Sequence, residues 1–177
     1  VYTAAIGQVA PTVDFGIVHV GDLVAAQGVS VQNSAPVTAL NDTLKASIGA
    51  ATGPFTTNNG NVAGLTAGGA ANTTALTVGL NTSTAGIFTG GTAGSASVAL
   101  ASHNPDMSDL TLPSQDVTLT ATVNNYANAL FGKVSGDGTL SNNGSGQFIL
   151  NFGSVMQGSA ALQAFLDVEN AIFGPAD

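Results

Sequence analysis

Apolar and small polar residues alternate with a period of two in one short run after another, and that rhythm restricts most of this chain to extended backbone. The runs include Ile17-Val18-His19-Val20, Val29-Ser30-Val31-Gln32, Ala75-Leu76-Thr77-Val78, Ala96-Ser97-Val98-Ala99-Leu100 and Val117-Thr118-Leu119-Thr120-Ala121-Thr122-Val123. Between them lie turn clusters: Asn58-Asn59-Gly60-Asn61, Gly90-Gly91, Gly136-Asp137-Gly138 and Asn142-Asn143-Gly144. Asn and Gly tolerate the positive φ that tight hairpins demand. Short strands joined by such turns predict an all-β sandwich or barrel. Alternation places Phe15, Val18, Val29, Val31, Leu76, Val78, Val98, Leu100, Val117, Leu119, Val123, Phe148, Phe152, Val155, Leu166 and Val168 in or lining the core.

The chain also resembles itself. Val13-Asp14-Phe15-Gly16-Ile17-Val18-His19-Val20-Gly21 aligns with Leu150-Asn151-Phe152-Gly153-Ser154-Val155-Met156-Gln157-Gly158, at an offset of 137 residues. The match runs without a gap to Val31-Gln32-Asn33 against Val168-Glu169-Asn170. The expected organisation is one full repeat over residues 1–140 and the opening strands of a second over 141–177, packed on the first or on a neighbouring molecule. Read alone, Leu162, Phe165, Leu166, Glu169, Ile172 and Phe173 fall at helical spacing. Their counterparts around Gly28, Val29 and Val31 alternate instead, so the repeat argues for a strand.

Composition narrows the function. Only 7% of residues are charged, against about 25% in ordinary globular domains. Ten acids face two bases, Lys45 and Lys133, for a net charge of −8. Nucleic-acid binding needs Lys and Arg to displace phosphate counterions, and anionic lipid surfaces need them equally. Both partner classes are excluded. Without Cys there are no disulfides or thiolate metal sites. No apolar run reaches the length of a membrane-spanning helix, so direct membrane insertion is not expected. A chain starting at Val1 suggests a processed or excised fragment, and a sparsely charged, Thr- and Asn-rich surface with two tryptic sites suits a secreted protein.

The opening Phe-Gly-x-Val-x-x-Gly of Phe15 to Gly21, the strand ending Val31-Gln32-Asn33, and the later Leu110-Thr111-Leu112-Pro113-Ser114-Gln115-Asp116-Val117 resemble one family. So does the closing Val123-Asn124-Asn125-Tyr126-Ala127. It is the choice-of-anchor D repeat of secreted bacterial surface proteins, and the resemblance covers most of residues 12–177. It implies an immunoglobulin-like antiparallel β-sandwich, related to the Hydin-type and pilus-chaperone-type sandwiches, built as tandem modules and carrying no catalytic residues. The chain departs from the family pattern at His103-Asn104-Pro105-Asp106-Met107-Ser108-Asp109, where a Gly-rich acidic loop is usual.

Candidate chemistry is sparse. His19 alternates with Val18 and Val20 and is expected on a solvent face. His103 could be grouped with Ser102 or Ser108 and Asp106, but residues adjacent in sequence rarely form a triad, and no G-x-S-x-G elbow exists. Asn104, Asp106 and Asp109 offer three oxygens within one loop, which suits a calcium ion; the plain alternative is a solvated turn. The Asn-x-Ser/Thr triplets at Asn41, Asn72, Asn81 and Asn143 are expected by chance in so Asn-rich a chain. An isopeptide bond from Lys45 or Lys133 to an Asn has no positional signal. Asp14, Asp22 and Asp137 belong to turns, where a short acceptor bonds the local backbone. The expected function is therefore a non-enzymatic structural module of an extracellular assembly, a surface layer, stalk or filament, that self-associates or packs on neighbouring repeats. The alternative is an adhesin or carbohydrate-binding module. Sugar rings stack on aromatic faces, and here there is no Trp and only Tyr2 and Tyr126.

Overall fold

The computed structural model describes residues 2–176. It is all-β, with several sheets and no α-helix among the described residues. The chain divides into two compact units, Val1–Asn124 and Asn125–Asp177.

The first unit holds β1 (Gly7–Val9), β2 (Thr12–His19), β3 (Gln27–Gly28), β4 (Val31–Asn33), β5 (Thr43–Ala51), β6 (Phe55–Thr57), β7 (Asn61–Leu65), β8 (Thr77–Leu80), β9 (Gly86–Thr89), β10 (Ser95–His103) and β11 (Leu110–Asn124). Its main sheet runs β2-β11-β10-β5-β7, with β9 also on β11; smaller sheets are β3-β8-β6 and β1-β4. In β11 the inward Val117, Leu119, Ala121 and Val123 are buried, while Thr118, Thr120 and Thr122 face outward. The same alternation buries Leu44, Ala46 and Ile48 on β5, and Ala96, Val98 and Leu100 on β10. Val29, Val31, Leu76 and Val78 meet them from the smaller sheets in one core. Phe15 closes it, 5.8 Å from Phe55, which stacks edge-on to Phe88.

Not every pairing is antiparallel. β2 runs parallel to β11, with Leu119 opposite Val13 and Val123 opposite Val18. A parallel pair cannot be closed by a hairpin, and here some ninety residues of intervening strands make the crossover.

The second unit holds β12 (Ala129–Gly136), β13 (Thr139–Asn142), β14 (Phe148–Asn151) and β15 (Ala164–Asn170). β12 pairs with β15, and β13 pairs with β14. The segment with helical spacing is thus a strand, as its repeat partner argues. The two copies share backbone detail. Gly16 and Gly153 have φ of 68° and 70°, and each donates its N–H to the side chain two residues earlier, Asp14 or Asn151. Gly21 and Gly158 both sit at φ 86°.

The correspondence extends further than the sequence match. β1 lies on β4 with Val9 opposite Val31, as β12 lies on β15 with Phe131 opposite Val168. Asn33 Oδ1 accepts the N–H of Ile6, and Asn170 Oδ1 that of Asn128. Ser34 donates to the carbonyl of Ile6, and Ala171 to that of Asn128. The second copy therefore opens at Asn125, and the division expected near residue 140 falls at Asn124/Asn125 instead. The reason is an insertion: Asn128 stands to Ile6 at an offset of 122, Asn170 to Asn33 at 137. The 15 extra residues form the end of β12, β13 and the turn into β14, and a gapless match cannot cross them.

The predicted core splits along the same line. Its members in the first unit are buried, except for half-buried Val18. In the second unit Phe148 is half-buried, and Phe152, Val155, Leu166 and Val168 are exposed. Val29 and Val31 are 0% exposed, but their counterparts Leu166 and Val168 are 44% and 61% exposed. Alternation reports which side chains share a face, and burial further requires strands to cover it. Among the described residues the second unit has no counterpart of β5 to β11.

Leu119→Ala is accordingly expected to lower stability by about 2–5 kcal/mol, as a cavity in a closed core does. Leu166→Ala is expected to stay within about 0.5 kcal/mol. Urea titrations followed by far-ultraviolet circular dichroism check both, and equal losses would contradict the asymmetry.

Candidate functional site

The loop from His103 to Asp109 connects β10 to β11 and meets the turn before β5. At its base lies the buried carboxylate of Asp42. Asp42 Oδ2 accepts the hydroxyl of Ser102 at 2.8 Å, and Oδ1 accepts the side-chain N–H of Asn104 at 2.8 Å. Ser102 Oγ in turn accepts the backbone N–H of Ala5 at 2.8 Å. The Asp42 N–H donates to the carbonyl of Thr3, and the Asp42 carbonyl receives the amide of Asn33 at 3.3 Å. One carboxylate thus ties the first strand segment, the start of β5 and the end of β10. No buried side-chain polar atom among the described residues lacks a partner. Tyr2, Asp42, Ser102, Asn104, Met107 and Leu110 line a cleft of about 480 Å³ above this cluster.

The three candidate calcium ligands take different partners. Asn104 is buried; its Oδ1 accepts the backbone N–H of Asp106 at 2.9 Å, closing an Asx turn. Asp106 Oδ2 accepts the hydroxyl of Tyr2 at 3.0 Å, and that bond raises the Tyr2 phenol above its ordinary range. Asp109 is turned towards the His103 ring at 2.6 Å and the Lys45 ammonium at 3.0 Å. Asn104 and Asp106 are brought together, and Asp109 serves a separate contact. Among the described residues no group of three or more His, Cys, Asp or Glu is gathered to hold a metal ion.

The triad grouping is not assembled either. Ser102 and His103 are neighbours on a strand and point to opposite faces, Ser102 to Asp42 and His103 to Asp109. His19 lies beside Asp22, its ring nitrogen 3.7 Å from the carboxylate. Lys45 meets an Asp rather than an Asn, and Lys133 donates to the Gly136 carbonyl. Three of the four Asn of the Asn-x-Ser/Thr triplets, at 72, 81 and 143, accept backbone N–H groups of the next few residues through Oδ1. Asn41 does the same for Thr38 on its N-terminal side. Asp14, Asp22 and Asp137 likewise accept backbone N–H groups.

Sequence reasoning passed over Asp42. Nothing in Leu40-Asn41-Asp42-Thr43 distinguishes it from the surface Asn and Asp of other turns. Its burial follows from β10, some sixty residues later. Also unforeseen is a second cleft, of about 350 Å³, in the second unit, lined by Phe131, Leu140, Gly146, Phe148, Leu150 and Leu166. Its walls are apolar. Phe131, Leu150 and Leu166 are the counterparts of Val9, Val13 and Val29, all buried in the first core.

Compared with known proteins, the chain matches no family model and no curated protein.

Two predictions follow from these bonds. Asp42→Ala orphans the buried Ser102 hydroxyl and Asn104 amide, at about 1–3 kcal/mol for each group left without a partner. Its urea midpoint should fall well below that of Asp109→Ala, whose contacts are exposed. Two other carboxyls carry acid sensitivity. The His103 ring and then Lys45 hold Asp109 below the ordinary 3.8, and the Gly16 N–H and then the Thr120 hydroxyl hold Asp14 below it. A depressed folded value means that the unfolded chain binds more protons as pH drops. The stabilisation is complete above pH 3.8 and lost as pH falls through the depressed values. Asp14→Asn combined with Asp109→Asn should flatten the fall of the melting temperature below that pH, and an unchanged slope would contradict the assignment.

Proposed function

We propose that this chain is a structural repeat module of an extracellular bacterial surface assembly, folded as an immunoglobulin-like sandwich of the choice-of-anchor D type. The observation that carries the reading is the junction between copies. Asn124 ends β11 and its carbonyl accepts the N–H of Val20; the very next residue, Asn125, donates to Pro175 and opens the second copy. Thr3 makes the equivalent bond to Leu40 in the first copy. Copies that follow one another directly in sequence suit a tandem array of modules.

The polar side chains support the same role. In the loop Asn104 is committed to a turn and to Asp42, Asp106 to the Tyr2 hydroxyl, and Asp109 to His103 and Lys45, contacts suited to holding the first unit together. A surface of Thr, Ser, Asn and Gly with few charges lets neighbouring modules pack without strong repulsion. The protein is proposed to be secreted and non-enzymatic.

Native mass spectrometry and negative-stain electron microscopy of the intact chain test this. Concentration-dependent ordered polymers are expected. Monomers at every concentration that capture glycans on an array, with binding lost in Tyr2→Ala, would instead establish the adhesin reading.

A further inference from the structure

Asn is followed by Gly at two places in the chain, Asn59-Gly60 and Asn143-Gly144, and at both the preceding residue is a further Asn. Asn is a thermolabile residue, and Gly after it makes the weakness worse because no side chain crowds the attacking nitrogen. The Gly nitrogen gives up its proton to water or hydroxide and attacks Cγ of the Asn side chain. A bond forms between that nitrogen and Cγ, and the side-chain nitrogen leaves as ammonia. Water then opens the five-membered imide at either carbonyl, leaving aspartate or isoaspartate.

In both turns the proton that must leave is held. The Gly60 N–H donates to Asn58 Oδ1 at 3.0 Å, and the Gly144 N–H donates to Asn142 Oδ1 at 2.8 Å. The turns are otherwise unlike. The first joins β6 to β7 and the second β13 to β14, and Asn59 has a φ of 48° whereas Asn143 lies outside the positive-φ region. The same bond therefore recurs on two different backbones. Asn58 is itself anchored, since its Oδ1 also accepts the Thr77 N–H at 3.1 Å and its Nδ2 donates to the Ala75 carbonyl at 2.8 Å. A bonded N–H ionises only after local opening, so the acceptor adds to the barrier of the first step.

We propose that Asn58 and Asn142 are guard residues, each holding the Gly N–H two positions on and so retarding conversion of Asn59 and Asn143, the chain's latent sites of modification, to aspartate or isoaspartate. Conversion adds negative charge to a chain already at −8. At Asn143 it also replaces the Nδ2 that donates to Gln147 Oε1 with a carboxylate oxygen, which turns an attraction into a repulsion within the hairpin turn. The inference is independent of the assembly reading, because it rests on bonds inside each turn.

The test incubates the intact chain in mildly alkaline buffer for several weeks and follows both Asn by peptide mass spectrometry, with isoaspartate separated chromatographically. Asn142→Ala is expected to speed conversion of Asn143 about two- to tenfold, the factor that one exposed hydrogen bond supplies. Asn142→Asp keeps an acceptor oxygen and should stay within about twofold of the unsubstituted chain. Asn59 in the same molecules is the reference and should not change. The proposal is overturned if Asn142→Ala leaves the Asn143 rate unchanged, if Asn142→Asp accelerates it as much as Ala does, or if Asn59 accelerates in step. Hydrogen exchange across the Ser141–Ile149 pair shows whether the hairpin survives the substitution. Where Asn142→Ala opens it, Asn58→Ala and Asn58→Asp decide in the same way, with Asn59 read and Asn143 as the reference. In the unsubstituted chain the Gly60 and Gly144 amides should exchange more slowly than in free peptides of residues 56–62 and 141–147, and equal rates would overturn the proposal without any variant.

Discussion

The backbone of β11 bonds to β10 along its first half and lies between β2 and β9 along its second, while every second side chain from Val117 to Val123 enters the core. A strand placed there sets the spacing of the whole main sheet and closes the apolar face of β2. The rest of the first unit follows from that constraint. Phe15 is buried because β11 and its neighbours stand over it, and the Asp42 cluster is buried because β10, held by β11, delivers Ser102 and Asn104 to it. Among the described residues the second copy has the same opening strands without a β11 beside them, and its Phe152, Leu166 and Val168 are exposed.

Much of this was legible in the sequence, and the boundary of legibility has a physical cause. Period-two alternation depends on the two faces of a single strand, so Val117 to Val123 and Ala96 to Leu100 declared themselves. The alignment also paired Gly16 with Gly153 and Gly21 with Gly158, and the structure shows that each is a position where a Cβ would be strained in both copies. What alternation does not encode is the partner. Leu166 and Val168 read as core residues because their pattern is that of Val29 and Val31, but burial belongs to the pair of sheets and not to the strand. The parallel pairing of β2 with β11 was hidden for the same reason. Asp42 was hidden because one buried carboxylate among many turn acids has no local mark, and β12 was hidden because an inserted hairpin moved it out of register with its counterpart.

A surface almost without charge must find its order elsewhere. Here Asn and Asp side chains bond the backbone of their own turns at Asp14, Asn58, Asn72, Asn81, Asn142 and Asn151. Such local bonds carry little salt dependence, in contrast to exposed ion pairs, whose attraction is screened. The Lys45 contact with Asp109 is the Lys–Asp ion pair seen among the described residues.

The β13–β14 hairpin gives the second copy a handed margin. In the first copy the outer flank of β2 carries no partner strand among the described residues, and the side chain of Gln27 reaches the carbonyl of Asp14 there. In the second, β13 occupies that flank of β14 along its whole length. A strand arriving at β14 can therefore add on one side alone. A bare strand offers two flanks, and the four residues of β13 close one of them on β14.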